Sequence, residues 1–204
     1  MVKRSTFVNR LKLIQMKRRV FISTLCIILL ASGCSVAGES STLKSFQTKL
    51  QSLCDKSFEG LVTSTDPQDE DWRQEILTLG PVACLDENTT RLPLAVGSDQ
   101  SRVWTLTLQD SGNQLDFRHA HFLKDGSPDP VTNYGGVATS DMSSSTRAVF
   151  PVDAYSKAIF SENNLEASMT NTWSIEVKPN QKMTYSLVRE GRNFVAEFDL
   201  SNPK

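Results

Sequence analysis

The chain has 204 residues, with 22 Lys and Arg against 23 Asp and Glu and a formal charge of −1. That balance is unevenly placed: seven basic and no acidic side chains precede Cys34, so residues 35–204 carry 15 basic against 23 acidic side chains, a charge of −8. An acidic body repels phosphates and excludes nucleic acid as a partner; its roughly 170 residues suit one domain with a sizeable core, without internal repeats.

The N-terminus runs from Lys17-Arg18-Arg19 through the apolar stretch Val20 to Leu30 and ends in Leu30-Ala31-Ser32-Gly33-Cys34. Basic, then apolar, then small residues is the layout of a secretory signal, and the apolar stretch is about half of what a ~30 Å hydrocarbon core requires. The segment resembles the lipobox of bacterial lipoproteins, with Ala31 where Leu is commonest. The resemblance implies that residues 1–33 are removed and that Cys34 becomes the acylated first residue. Ser35 after it, rather than aspartate, implies outer-membrane placement facing the periplasm. The rival reading is an ordinary signal peptide with a bystander cysteine. Met16 also opens a compact signal by itself. Three acyl chains give a durable anchor where one does not, and residues 34–42, small and polar, suit a flexible tether.

Residues 43–204 form the expected folded domain. Leu43, Phe46, Leu50 and Leu53 recur at helical spacing with polar residues between them, predicting a short helix that packs on the domain, plugs one end of it or lies on a membrane surface. Cys26 leaves with the signal and Cys34 takes lipid, so Cys54 and Cys84 remain; in an oxidising compartment such a pair predicts a disulfide, and no CxxC spacing supports a redox or metal role. Asp66, Asp69, Glu70 and Asp71 lack the glycine and distal glutamate of an EF-hand and read as a solvated acidic loop.

From Phe58 onward the period is two. Trp104, Leu106 and Leu108 alternate with threonines; Trp173, Ile175 and Val177, then Met183, Tyr185 and Leu187, then Phe194, Ala196, Phe198 and Leu200 do the same. Such alternation marks antiparallel strands with one buried face. Further strands are expected at 58–64, 75–79, 82–85, 91–96, 114–123 and 146–150, with a helix capped by Asp153 ending near Phe160. Asp125-Gly126-Ser127-Pro128-Asp129-Pro130 and Tyr134-Gly135-Gly136 read as a turn-rich loop with a backbone bend. Eight to ten short strands favour a barrel or a sandwich. The sequential hairpins point to an all-β fold: a closed or nearly closed antiparallel up-and-down barrel with a short N-terminal helix, able to hold one ligand.

On a continuous strand 114–123, Leu115, Phe117, His119, His121 and Leu123 share one face, so the chain's two histidines lie on the inward side. Three readings stand: hydrogen-bonded wall residues, a polar spot contacting a ligand with Arg102, Trp104 and Tyr134, or a metal or proton-shuttle site completed by Asp125 or Asp129. A three-histidine zinc centre is excluded by count, and no serine-hydrolase elbow is present. No cofactor is expected.

From about Cys54 to Pro203, the stretches Phe58-Glu59-Gly60, 96–104, Tyr134-Gly135-Gly136, Thr170-Asn171-Thr172-Trp173 and Glu197-Phe198-Asp199-Leu200 resemble an uncharacterised family of bacterial secreted proteins. In that family a histidine-rich strand precedes an Asp-Gly turn, here thinned to His119 and His121. Phe58-Glu59-Gly60 also loosely resembles the opening of a lipocalin-type barrel, without the following tryptophan. Neither resemblance implies an activity, since architecture does not determine function. The expectation is a lipid-anchored envelope barrel that binds a small apolar or amphipathic molecule without catalysis. The alternatives are an envelope protein-interaction module with an unknown protein partner and an enzyme using His119 and His121.

Overall fold

The computed structural model describes residues 41–204; the signal, Cys34 and nearly all of the tether lie outside them. Helix α1, Thr42–Gln51, begins where the Ser41 hydroxyl accepts from Lys44 N at 3.2 Å and satisfies one of the free amides of the first turn. The same hydroxyl donates to Gly112 O at 2.7 Å, tying the helix to a turn of the sheet. Leu43, Phe46 and Leu50, on one helical face, are fully buried. The helix plugs one end of the barrel, which decides among the three placements the sequence allowed. Gln47 is buried beside them, and its Nε2 donates to Asn88 O and Thr90 Oγ1, both at 3.0 Å, as a buried amide must.

The sheet comprises β1 (Phe58–Val62), β2 (Leu77–Leu79), β3 (Ala83–Cys84), β4 (Thr89–Val96), β5 (Asp99–Gln109), β6 (Gln114–His121), β7 (Tyr134–Thr139), β8 (Arg147–Pro151), β9 (Thr172–Lys178), β10 (Lys182–Arg189) and β11 (Arg192–Asp199). All neighbours are antiparallel, in the order β7-β6-β5-β4-β2-β1-β11-β10-β9-β8. β3 pairs with β4 further along its length, Ala83 opposite Arg91, while β2 covers its other end, Leu79 opposite Leu94. These two short strands act as one interrupted rung, giving a ten-rung up-and-down barrel. Strand β1 pairs with β11, Gly60 opposite Phe198. The period-two residues point inward: Trp104, Leu106, Phe117, Phe150, Trp173, Ile175, Val177 and Phe198 are all essentially inaccessible to solvent.

The barrel is nearly closed. β7 and β8 meet through a single bridge between Gly136 and Val152, reinforced where Ser156 Oγ, on helix α3 (Ala154–Glu162), accepts from Gly135 N and donates to Gly135 O at 2.7 and 3.0 Å. Asp153 caps α3 as expected, accepting from Ser156 N at 2.8 Å. Tyr134-Gly135-Gly136 is therefore the start of a strand and not the bend the sequence suggested. A Cβ on Gly136 would lie 2.0 Å from Pro151 O, and one on Gly135 would lie 1.8 Å from Phe117 O. Backbone approaches backbone here, and only hydrogen fits between. Gly136→Ala is expected to part the seam at a cost of about 2 kcal/mol, in the range of overpacked interiors. Denaturant unfolding checks this, and an unchanged midpoint would contradict it.

Cys54 and Cys84 are joined in a disulfide, Cα atoms 5.8 Å apart and 30 residues apart in sequence. On the chain-entropy model, closing that loop contributes about 3.5 kcal/mol. The acidic loop is not solvated as a whole. Asp69 is 2% exposed, accepts from Ser64 Oγ at 2.7 Å and pairs with Arg192 through both carboxylate oxygens. Asp66 also pairs with Arg192, at 3.1 Å. The segment is held by charge-assisted hydrogen bonds across the barrel mouth, and within it lies the four-residue helix α2, Glu70–Arg73.

Candidate functional site: the mouth cavity

At the end opposite α1 the barrel opens into a cavity of about 350 Å³. One side of its wall comes from three neighbouring strands. Cross-strand pairing sets Arg102 opposite His121 and Trp104 opposite His119 on β5 and β6, and His119 opposite Tyr134 on β7. Residues directly opposite on one face are in contact, so pairing alone gathers these five side chains. All five residues that the sequence marked as candidate ligand contacts, Arg102, Trp104, His119, His121 and Tyr134, line this one cavity.

The other side of the cavity comes from residues that the sequence alone did not assign to a site: Tyr185 and Leu187 on β10, Arg192 and Phe194 on β11, and Gln68, Asp69 and Trp72 from the segment between β1 and β2. Tyr185 carried a signal, a polar-tipped ring at an inward position between Met183 and Leu187. Trp72 carried a weaker one, a lone aromatic within an acidic run. Tyr185 stacks on Trp104 with centroids 4.2 Å apart and planes within 13°. Trp72 packs edge-on against Phe194 at 5.4 Å and receives the Arg102 guanidinium over its face at 4.9 Å.

Burial, with the positive charge of Arg102 adding to it, holds the His119 imidazole down at about 3. The ring is therefore neutral at pH 7. Burial likewise pushes the Tyr134 hydroxyl up to about 12 and the Tyr185 hydroxyl well above its usual value, so both phenols keep their protons. Tyr134 Oη lies 3.0 Å from His119 Nδ1. Among the described residues the phenol proton has no other acceptor, so we assign Tyr134 as the donor, which places the imidazole proton on Nε2.

His121 Nδ1 lies 3.4 Å from Asp129 Oδ2, and its backbone N donates to Thr132 Oγ1 at 2.7 Å. Asp125, the other acidic candidate, instead accepts from Ser127 N and Oγ. Strand β6 ends at His121, and Leu123 is 45% exposed rather than inward. The Pro128–Asp129 turn folds back through a bridge between Phe122 and Pro128 and brings Asp129 to the rim. Among the described residues, no three His, Cys, Asp or Glu side chains are grouped as a metal site requires. Neither imidazole is hydrogen-bonded to a Ser, Thr or Cys side chain among them.

A larger depression of about 490 Å³ lies outside the wall around Leu61 and Ile76. Its charged pair, Lys182 and Glu197, is self-satisfied at 2.5 Å, and no aromatic cluster converges on it. The mouth cavity is the site with concentrated chemistry: aromatic walls and a few placed polar atoms. No family model, curated protein or solved structure matches the chain, so its chemistry is to be derived from this geometry.

Proposed function

We propose that residues 41–204 are the ligand-binding body of a lipid-anchored bacterial envelope protein, holding one small apolar or amphipathic molecule in the mouth cavity without transforming it. The observation that carries this reading is the convergence of Trp72, Trp104, Tyr134, Tyr185, Arg102 and both histidines on about 350 Å³ of open space. That volume lies in the range of small-molecule sites. The far end of the barrel is filled by α1 and the core, so one mouth serves the cavity. A neutral His119 bonded to a phenol is suited to hold a ligand, and among the described residues neither imidazole is paired with the Ser, Thr or Cys side chain that a histidine base most often activates. Anchoring rests on the order of residues 17–34, and placement at the outer membrane on Ser35.

Native mass spectrometry of the full chain, extracted from a bacterial envelope in mild detergent, tests both halves at once. The expected spectrum shows a chain that begins at an acylated Cys34 and carries a small molecule lost on activation. An unacylated chain would sink the anchoring. An acylated chain with no bound molecule from any growth condition would sink the ligand.

A further inference from the structure

The polar atoms of the mouth cavity divide unequally into committed and uncommitted ones. Its one lining carboxylate, Asp69, is committed, and the exposed Gln68 amide at the rim holds the free carbonyl of the lining. Asp69 takes hydrogen bonds from Ser64 and Arg192, and two carboxylates beside the cavity but outside its lining are also engaged, Asp99 by Arg102 Nη1 at 2.6 Å and Asp129 by Val131 N at 2.7 Å while facing His121. Its donors are largely free. Arg102 gives Nη1 to Asp99, and among the described residues its Nε and Nη2 have no partner. His119 accepts from Tyr134 at Nδ1, which leaves its Nε2 proton unpaired. The Tyr185 hydroxyl has no hydrogen-bond partner among the described residues either. These three groups share one wall: Arg102 and His119 project from adjacent strands, and Tyr185 stacks on Trp104, the cross-strand partner of His119.

A cavity whose free polar groups include a guanidinium edge and an imidazole N–H, both donors only, set into aromatic walls, is complementary to a molecule with an apolar body and an acceptor head. A carboxylate fits best, because the guanidinium offers two parallel donors to its two oxygens and charge-assisted hydrogen bonds are the strong ones. We infer that the mouth cavity selects small organic acids, with the carboxylate held by Arg102 and His119 and the apolar body against Trp72, Trp104 and Tyr185. This deepens the proposed function and rests on it. Asp99 and the Trp72 face fix the Arg102 guanidinium before a ligand arrives, so little side-chain freedom is lost on binding.

The test is isothermal titration of the full chain with a matched pair of probes, 2-naphthoate and 2-naphthylmethanol, which share an apolar body and differ in the head. The acid is expected to bind at least about tenfold more tightly than the alcohol. In Arg102→Gln that preference is expected to vanish. Equal affinities in the unaltered protein would overturn the selectivity and leave the ligand site standing. Binding of neither probe would overturn both. The first comparison needs no variant, so a poorly folding Arg102→Gln does not weaken it.

Discussion

Asp69→Ala should lower the unfolding free energy by about 3 kcal/mol and weaken any ligand at the mouth. Asp69 is nearly inaccessible, and its two oxygens satisfy Arg192 and the Ser64 hydroxyl. Removing it leaves a largely buried guanidinium with only Asp66 and a buried hydroxyl with no acceptor, the circumstance in which breaking an ion pair costs about 3–5 kcal/mol. The lower end applies because Asp66 remains, 3.1 Å from Arg192. The consequence for binding follows from position: the segment this pair pins carries Trp72, the ring under Arg102. The double variant Asp69→Leu with Arg192→Met should recover much of the loss, because the cost is that of a stranded charge. Chemical denaturation of the single and double variants decides the matter, and a double variant as unstable as the single one would contradict the assignment.

Phe46→Ala carries the second large effect, about 3–5 kcal/mol, the usual cost of deleting a fully buried phenyl ring that its neighbours cannot refill. Phe46 has no exposed surface and sits between Leu43 and Leu50 on the face of α1 that seals the barrel. The helix is 10 residues long, too short to be stable alone in water, so its order depends on that face. Loss of stability should therefore come with loss of the Ser41–Gly112 and Gln47–Thr90 hydrogen bonds. Hydrogen exchange should show the amides of residues 45–51 losing protection ahead of the strands. Exchange limited to global unfolding in the variant would show that the plug holds without its ring.

Much of this barrel is legible in the chain, and the reasons differ by segment. Strands such as 173–178 and 183–188 announce themselves because each has one buried face, and burial on one face of a pleat is alternation in sequence. The helix near residue 46 is visible for the same reason at a different period. Tyr134–Thr139 is not, because Gly135 and Gly136 contribute no side chain to any pattern. They are there to admit another backbone, a demand set by the seam and not by local propensity. Asp69 is also opaque, since Arg192 lies 123 residues onward and nothing local distinguishes a paired aspartate from a solvated one.

The site divides along the same line. Arg102, Trp104, His119, His121 and Tyr134 are readable because they fall on three consecutive strands, where register follows from adjacency. Trp72, Tyr185 and Arg192 belong to the opposite wall, and their nearness depends on how the ends of the sheet meet. Cys54 and Cys84 needed only a count and a compartment.

The pairing of β1 with β11 has a temporal side. Gly60 faces Phe198, so the earliest strand to leave the ribosome can pair with β2 on one edge but finds its other neighbour only when the last has been made. Until then the amides and carbonyls of that edge stay open to any passing strand. Contacts between the two ends of a chain make folding slow and collective. This cylinder should stay unfinished throughout synthesis, and deleting its final strand should leave aggregating polypeptide, not a smaller barrel.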